Sequence, residues 1–181
     1  MSQRQTRSDA QRNREHLLAV ARAALSEDAT TSMNAIAKRA EVGSGTLYRH
    51  FPSREALIME LYRREIAELI DLVPQLLDQH EPMRALRLWL DEVRRYAALK
   101  YGVAEVIHAA TNNGLDDDAY APFVDAIDTL LSAGIGAGDL KPGLDPEDVL
   151  LQLSVLWRID PDADPDRPDR ILNLIIDGLR A

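Results

Sequence analysis

The chain contains no cysteine among its 181 residues, and aromatic residues make up only 5% of it. Without cysteine it forms no disulfide bond, performs no thiol catalysis and holds no cysteine-ligated zinc. No apolar run reaches the roughly 18 residues that a membrane-spanning helix requires, and no secretory leader precedes Ser8. These absences predict a cytoplasmic protein that does not associate with a membrane.

The sequence also lacks the motifs of common enzymes and metal sites. It has no nucleophile elbow and no phosphate-binding loop, and its four histidines are not spaced as metal ligands. The acidic stretch 160–166 is similar to a calcium loop, but Pro165 stands where a glycine must turn, and Ile171 where a glutamate ligand belongs. We therefore predict no catalytic residue, no metal site and no cofactor.

Helical periodicity runs through most of the chain. Apolar residues recur at helical spacing in about nine segments, and no segment alternates as a β-strand does. The first helix is predicted to open with a capping box at Ser8, and others to cover 102–113, 145–158 and 167–180. The apolar stripe of the first helix consists of Leu17, Leu18, Ala21 and Leu25. The pattern predicts an all-α fold.

Proline and glycine mark two of the predicted helix ends. A fourth helix starts at Ser53, and Pro74 is expected to kink or end it. A later helix around Phe123 is expected to weaken at the three glycines that follow it, which are Gly134, Gly136 and Gly138.

The most informative segment is 35–51, which fits two short helices joined by a tight turn. Thr31 or Ser32 is the expected N-cap of the first helix. Gly43 and Gly45 are expected to make the sharp turn and to allow close approach of another surface. Polar groups on the second helix would meet DNA in the major groove. An ordinary packing corner in a helical bundle has the same spacing, so both interpretations stay open from the residues alone.

The segment resembles the N-terminal signature of the TetR family of transcriptional regulators. That signature reads T-x-x-x-I-A-x-x-A-G-V-S-x-G-T-L-Y-x-H-F-x-s-K-e-x-L. This chain matches it at Ile36-Ala37, Ala40, Val42, Gly45 to Tyr48, His50-Phe51, Ser53, Glu55 and Leu57. Three positions differ. Glu41 replaces a usual glycine, Gly43 a usual serine, and Arg54 a usual lysine.

The resemblance implies two domains and a set of DNA contacts. A three-helix DNA-binding head is expected at residues 1–52, and a helical ligand-binding and dimerisation body at 53–181. The predicted DNA-binding residues are Ser44, Gly45 and Arg49 at base edges, Thr46, Tyr48, His50 and Arg54 at the sugar-phosphate backbone, and Thr31 at the start of the motif. The alternatives are that Tyr48 packs in the core, His50 caps its helix, and Arg54 pairs with Glu55 or Glu60.

Charge is distributed unevenly along the chain. The net charge is −9, yet residues 1–64 contain eleven lysines and arginines against seven acidic residues. One end therefore attracts phosphate and the other repels it, which favours oriented, salt-dependent binding to a polyanion. Four arginines near the N-terminus form either a flexible DNA-binding arm or an ordinary disordered terminus, and these are Arg4, Arg7, Arg12 and Arg14.

The body helices carry most of the aromatic residues. An aromatic-lined cavity with a few polar groups suits an apolar or amphipathic ligand, although a plain aromatic core has the same composition. The predicted lining residues are Trp89, Tyr96, His108, Tyr120, Phe123 and Trp157, with Asn112 and Arg158 as polar anchors.

The last two predicted helices, 145–158 and 167–180, carry more apolar surface than one face requires. The resemblance implies a homodimer through these helices, and the alternative is that they complete the core of a monomer. It further implies a regulator, not an enzyme, most simply a repressor that a small-molecule effector releases from double-stranded operator DNA. A dimeric small-molecule-binding module with impaired operator reading is the alternative that Glu41 and Gly43 leave open.

Overall fold

The computed structural model describes residues 2–101, 103–104, 106–107, 117–160 and 163–181, with the backbone alone for 2–10, 99 and 117–119. These residues form eight α-helices, one 3-10 helix and no β-strand. The predicted all-α fold is therefore confirmed. The helix predicted over 102–113 lies mostly outside the described residues.

The first compact unit is Met1–Tyr62. It contains helices α1 (Ser2–Glu27), α2 (Met33–Arg39), α3 (Ser44–His50) and the first turns of α4 (Arg54–Gln79). Helix α2 packs against both α1 and α3.

The core of this unit is built from one apolar face of each helix. The predicted stripe of α1 is buried, and it shares the core with side chains of α2, α3 and the residue after α3. These buried residues are Leu17, Leu18, Ala21, Leu25, Ile36, Ala37, Leu47 and Phe51. Because α2 and α3 each bury one face, their opposite faces remain at the surface.

Two predictions about helix starts are decided by the structure. Ser32 is the N-cap of α2, because its hydroxyl accepts a hydrogen bond from the Ala35 N–H at 3.2 Å. Helix α1 begins at Ser2, so the prediction of a start at Ser8 was wrong. The residues before Ser8 include two glutamines and two arginines, which are good helix formers and extend the helix towards the N-terminus. The backbone before Ser8 is helical, so the alternative of a flexible arm was also wrong.

The second compact unit is Arg63–Ala181. Its central helix is α5 (Pro82–Tyr101), which packs against α6 (Asp117–Ala137), a 3-10 helix (Ser154–Arg158) and α8 (Arg167–Leu179). Helix α6 also packs against α7, which spans Pro146–Leu153.

Helix boundaries in this unit differ from the sequence prediction at two places. Helix α4 continues past Pro74, an exposed residue, to Gln79. Helix α6 runs through Gly134 to Ala137. It is followed by Gly138, whose φ of 82° is the left-handed conformation that glycine adopts after a helix end. A Cβ added to Gly134 would lie 2.6 Å from Leu140 Cδ1, so this glycine allows a close contact inside a continuous helix.

The predicted helix start at residue 145 is confirmed, since Asp145 is the N-cap of α7. The Asp145 side chain accepts a hydrogen bond from the Glu147 N–H at 2.8 Å, and Pro146 is the first helical residue. The predicted single helix over 145–158 is instead α7 followed directly by the 3-10 helix. No helix within the described part of the chain is both long and apolar enough to cross a membrane.

Candidate nucleic-acid interface

Helix α3 presents a polar face to solvent. Leu47 is fully buried and holds the helix against the core, while Tyr48 is 44% exposed. Since Tyr48 lies at the surface, the alternative that it packs in the core is excluded. Four of the predicted DNA contacts on this helix are exposed, namely Ser44, Gly45, Tyr48 and Arg49. Two more, Thr46 and His50, are half-buried.

The turn before α3 is made by an unexpected residue. Glu41 has a φ of 56°, whereas Gly43 has an ordinary extended conformation with φ −68° and ψ 143°. The Glu41 N–H donates to the Lys38 carbonyl at 3.2 Å, and the Val42 N–H to the Ala37 carbonyl at 3.0 Å. This pair of bonds is the Schellman motif, which requires a left-handed residue. The prediction that Gly43 and Gly45 make the turn was therefore wrong.

Gly43 and Gly45 nevertheless leave the surface of the motif open. A Cβ added to either glycine would meet no atom within 4 Å. Gly43 is the N-cap of α3 and makes no side-chain capping bond, and its carbonyl accepts from the Thr46 N–H at 2.8 Å. Another molecule can therefore approach this backbone closely.

Arg14 of α1 fixes the end of α3. Its Nη1 donates to the His50 carbonyl at 3.2 Å, and its Nη2 lies 2.8 Å from Glu60 Oε1. Its guanidinium carbon lies 4.6 Å from the centre of the Phe51 ring. Arg14 is thus a structural residue and not part of a free arm. The sequence prediction missed this role because these groups are distant in the chain and form no local pattern.

Thr31 and Arg54, both predicted DNA contacts, are engaged with the backbone of this unit. The Thr31 hydroxyl donates to the Asp28 carbonyl at 2.7 Å and to the Ala24 carbonyl at 3.2 Å. The Arg54 side chain donates to the carbonyls of Thr31 and Ala29. Contact of either residue with DNA stays a prediction.

Two exposed cations of the motif have no partner among the described residues. The side chains of Lys38 and Arg49 make no hydrogen bond or ion pair with any other described residue. Arg39, by contrast, pairs with Glu27 at 2.7 Å. Lys38 was not among the predicted contacts, although its place in the last turn of α2 was a usable signal.

Comparisons with known proteins agree with this geometry. The family model for bacterial regulatory proteins of the tetR family matches residues 17–61, and the model for the C-terminal domain of SbtR-like transcriptional regulators matches 81–181. The crystal structure of a TetR transcriptional regulator from Streptomyces coelicolor is 36% identical, with a TM-score of 0.77 over 92% of this chain and 98% of that one. The chain belongs to the TetR family of transcriptional regulators.

Two further relatives support the assignment to the TetR family. A TetR regulatory protein from Mycobacterium vanbaalenii is 31% identical, with a TM-score of 0.72 over 97% of this chain and 99% of that one. An HTH-type transcriptional regulator from Staphylococcus aureus is 29% identical over 109 residues, which are 59% of this chain. The match spans 59% of the length of that curated relative. Membership of a regulator family agrees with the prediction that the chain is not an enzyme.

Four of the aromatic residues predicted to line a pocket form two buried pairs in the body of this TetR-family chain. The rings of Trp89 and Phe123 are 5.6 Å apart, and the Trp89 indole N–H donates to the Leu69 carbonyl at 2.9 Å. The rings of Tyr96 and Trp157 meet edge to face at 5.5 Å. These contacts are those of an aromatic core, the alternative that the sequence left open.

Two of the other predicted pocket residues lie at the surface. Tyr120 is 37% exposed, and Arg158 is also exposed. His108 and Asn112 lie outside the described residues.

Lys100 is a buried cation that the sequence prediction missed. It is 1% exposed, and its Nζ lies 4.6 Å from the centre of the Trp157 ring. Burial lowers the pKa of Lys100 to about 8, because the charged form loses its hydration. Its position four residues after Tyr96 places both on one face of α5, which was a usable signal.

In the described part of the chain, two cavities lie beside α5. The larger, about 370 Å³, lies between α5 and α8, and its charged lining is Arg87, Asp91, Arg94 and Asp169. The smaller, about 210 Å³, lies between α5, the 3-10 helix and the start of α8. Neither cavity is lined by those predicted pocket residues that the structure describes. Within the described ranges, no three histidine or acidic side chains are grouped to hold a metal ion.

Proposed function

We propose that this chain is a homodimeric transcriptional repressor that binds operator DNA through α3 and releases it when a small molecule binds. The observation that carries the proposal is the exposed polar face of α3, which is backed by Leu47 and Phe51. A short helix whose apolar face packs on the core and whose polar face is exposed has the arrangement that enters a major groove.

The roles proposed for the side chains follow from their chemistry. Arg49 has a planar guanidinium that donates two parallel hydrogen bonds to a guanine edge. Gly45 has no side chain, so the backbone can approach the base pairs, and Ser44 beside it adds a hydroxyl. Thr46, Tyr48 and His50 carry donors for phosphate oxygens on either side of the groove.

The charge distribution supports DNA binding by the N-terminal part of the chain. Residues 1–64 carry an excess of positive charge, while the rest of the chain is strongly acidic. A protein with this distribution approaches DNA with its basic end first, and its affinity falls as salt rises.

The proposed dimer uses the last two helices, over the predicted ranges 145–158 and 167–180. Leu151 and Leu174 are 70% and 72% exposed, and Val155 is 48% exposed. Large apolar side chains at this exposure, on helices that follow one another in the chain, are typical of a subunit interface. A two-fold dimer would present two α3 helices to half-sites one helical turn apart.

The proposed effector acts by shifting a conformational equilibrium. To release DNA, it must bind the DNA-incompetent state more tightly than the competent one. The cavities beside α5 have volumes in or near the range of small-ligand sites, and they are the places where such a molecule is first to be sought.

The test is binding to the DNA that flanks the chain's own gene, measured over a salt series beside a Tyr48→Ala, Arg49→Ala variant. Tight, sequence-selective, salt-sensitive binding that the variant loses is the expected result, and it supplies the assay for an effector screen. Equally weak binding of both proteins to every duplex would contradict operator reading. That outcome favours the small-molecule-binding module instead.

A further inference from the structure

The linker between α1 and α2, residues 28–32, is held by a cluster of hydrogen bonds. The Thr30 hydroxyl and N–H both donate to Asp28 Oδ1, at 2.7 and 2.8 Å. These bonds lower the pKa of the Asp28 carboxyl, since they stabilise its charged form. The Thr31 hydroxyl and N–H both donate to the Asp28 carbonyl, at 2.7 and 3.0 Å. The linker is therefore an ordered turn.

Arg54 joins this linker to α4. It is the first residue of α4, directly after Ser53, whose hydroxyl accepts from the Ala56 N–H at 3.1 Å. Nη1 of Arg54 donates to the Thr31 carbonyl, and Nη2 donates to the Ala29 carbonyl. Each terminal nitrogen of the guanidinium thus holds one carbonyl of the same turn.

We propose that Arg54 serves operator binding as a positioning residue, which fixes the start of α2 relative to α4, and not as a phosphate ligand. The proposal rests on the proposed operator binding, and it reassigns a residue that the family resemblance had placed on the DNA backbone.

The position of the linker explains why this contact matters. Ser32, the N-cap of α2, follows Thr31 directly, and α2 packs against α3. A shift of the linker therefore moves the N-terminus of α2 and disturbs the packing that orients α3. Because Arg54 holds two carbonyls at once, the turn cannot rotate about a single bond.

The difference between arginine and lysine makes the proposal testable. A guanidinium holds its nitrogens in a fixed plane and matches two acceptors together, whereas the ammonium of lysine is a single point charge on a flexible chain. The usual family residue here is lysine. A phosphate contact needs only the positive charge, but the two-carbonyl contact needs the guanidinium.

The experiment compares Arg54→Lys, Arg54→Gln and a control, Arg39→Lys. The control changes an arginine of the same unit whose exposed ion pair with Glu27 is not part of the linker. Binding is measured to the duplex upstream of the chain's own gene over a salt series, at a temperature where circular dichroism shows equal helix content for all proteins.

If Arg54 is a positioning residue, both Arg54 variants should bind the duplex about tenfold more weakly than the wild type. This factor corresponds to the loss of roughly one hydrogen bond to a charged group. The slope of log affinity against log salt should stay at the wild-type value, since no phosphate contact is lost. Arg39→Lys should bind as the wild type does. The inference is overturned if Arg54→Lys binds normally while Arg54→Gln weakens binding and reduces the slope by about 0.9.

Amide hydrogen exchange separates this inference from the proposed function. In Arg54→Lys, the amides of Thr31 and of the first turn of α2 should exchange faster than in the wild type, with those of α5 unchanged. If the wild type binds no duplex, the proposed function fails, and the exchange rates still show whether Arg54 fixes the linker. Unchanged exchange at Thr31 would overturn the positioning role.

Discussion

Glu41 and Gly138 occupy the same position in the same hydrogen-bond motif at the ends of two helices. Each has a positive φ, 56° and 82°, and each donates to the carbonyl three residues before it, at 3.2 and 3.0 Å. In each case the next residue donates to the carbonyl five residues before it, at 3.0 Å. Glycine adopts this conformation without steric cost, whereas glutamate brings its Cβ close to the following backbone.

The first prediction concerns the strain at Glu41. Glu41→Gly should stabilise the first unit by about 1 kcal/mol, because it removes the cost of a left-handed residue that carries a side chain. The measurement is amide exchange in α2 and α3. Tryptophan fluorescence would not report the change, since both tryptophans, Trp89 and Trp157, lie in the second unit.

Gly138→Ala is the matched control for this change. It should destabilise the second unit by about 1 kcal/mol or more, since alanine is strained at positive φ. Unchanged or lower protection in Glu41→Gly would mean that the Glu41 side chain stabilises the turn by other contacts.

The second prediction concerns Arg14. Arg14→Met should destabilise the first unit by about 1 to 2 kcal/mol, because it removes the bond to the His50 carbonyl and the contact with the Phe51 ring. Arg39→Met, which breaks only the exposed pair with Glu27, should cost less than about 0.5 kcal/mol. Urea unfolding followed by far-ultraviolet circular dichroism measures both. Equal effects of the two substitutions would contradict the role given to Arg14.

The third prediction compares two glycines of α6. Gly134→Ala should destabilise the second unit by about 1 to 3 kcal/mol, because the new Cβ would lie 2.6 Å from Leu140 Cδ1 and the buried Leu140 side chain would have to move. Gly136→Ala has open space around it and should be neutral or stabilising by up to about 1 kcal/mol, through helix propensity. Chemical denaturation followed by tryptophan fluorescence gives both values, and a stable Gly134→Ala variant would refute the close contact.

The fourth prediction is a pH dependence at Lys100. Burial lowers its pKa from the usual 10.5 to about 8. Between these values the unfolded chain binds the proton and the folded chain releases it, so stability rises with pH through this window. Relative to Lys100→Met, the wild type should gain about 3 kcal/mol from pH 8 to 10.5.

Denaturant titrations at several pH values, followed by tryptophan fluorescence, measure that difference. Parallel curves for wild type and Lys100→Met would show that Lys100 is charged in the folded protein throughout the window.

The fifth prediction concerns the proposed dimer. A double variant, Leu151→Glu with Leu174→Glu, should weaken dimerisation at least about hundredfold, since a two-fold interface loses each contact twice and gains buried charge. Sedimentation velocity over a concentration series measures it. Thr129→Glu adds one glutamate at an exposed position of α6, a helix outside the proposed interface, and should remain dimeric. A wild type that is monomeric at all concentrations contradicts the dimer.

Local patterns in the sequence predicted the helices well. The stripe of α1 and the start of α7 at Asp145 both follow from periodicity and capping, which act between residues a few positions apart. The exposed residues of α3 were also recognisable, because exposure on a short amphipathic helix follows from its buried face.

Contacts between distant segments were not predictable in this way. Arg54 looked like a phosphate contact, because its sequence neighbours give no sign that the carbonyls of Ala29 and Thr31 lie within its reach. The sequence also could not predict the aromatic pairs or the exposure of Tyr120. Both depend on how α5, α6 and the 3-10 helix pack.

The sequence by itself determined the all-α class, the helix-turn-helix segment and the family, because these depend on short-range spacing and residue type. Tertiary structure alone decided that Glu41 makes the turn, that Arg14 and Arg54 hold the backbone of the first unit, and that Lys100 is buried. The physical reason is that a side chain's partners and its access to water depend on segments brought together only by folding.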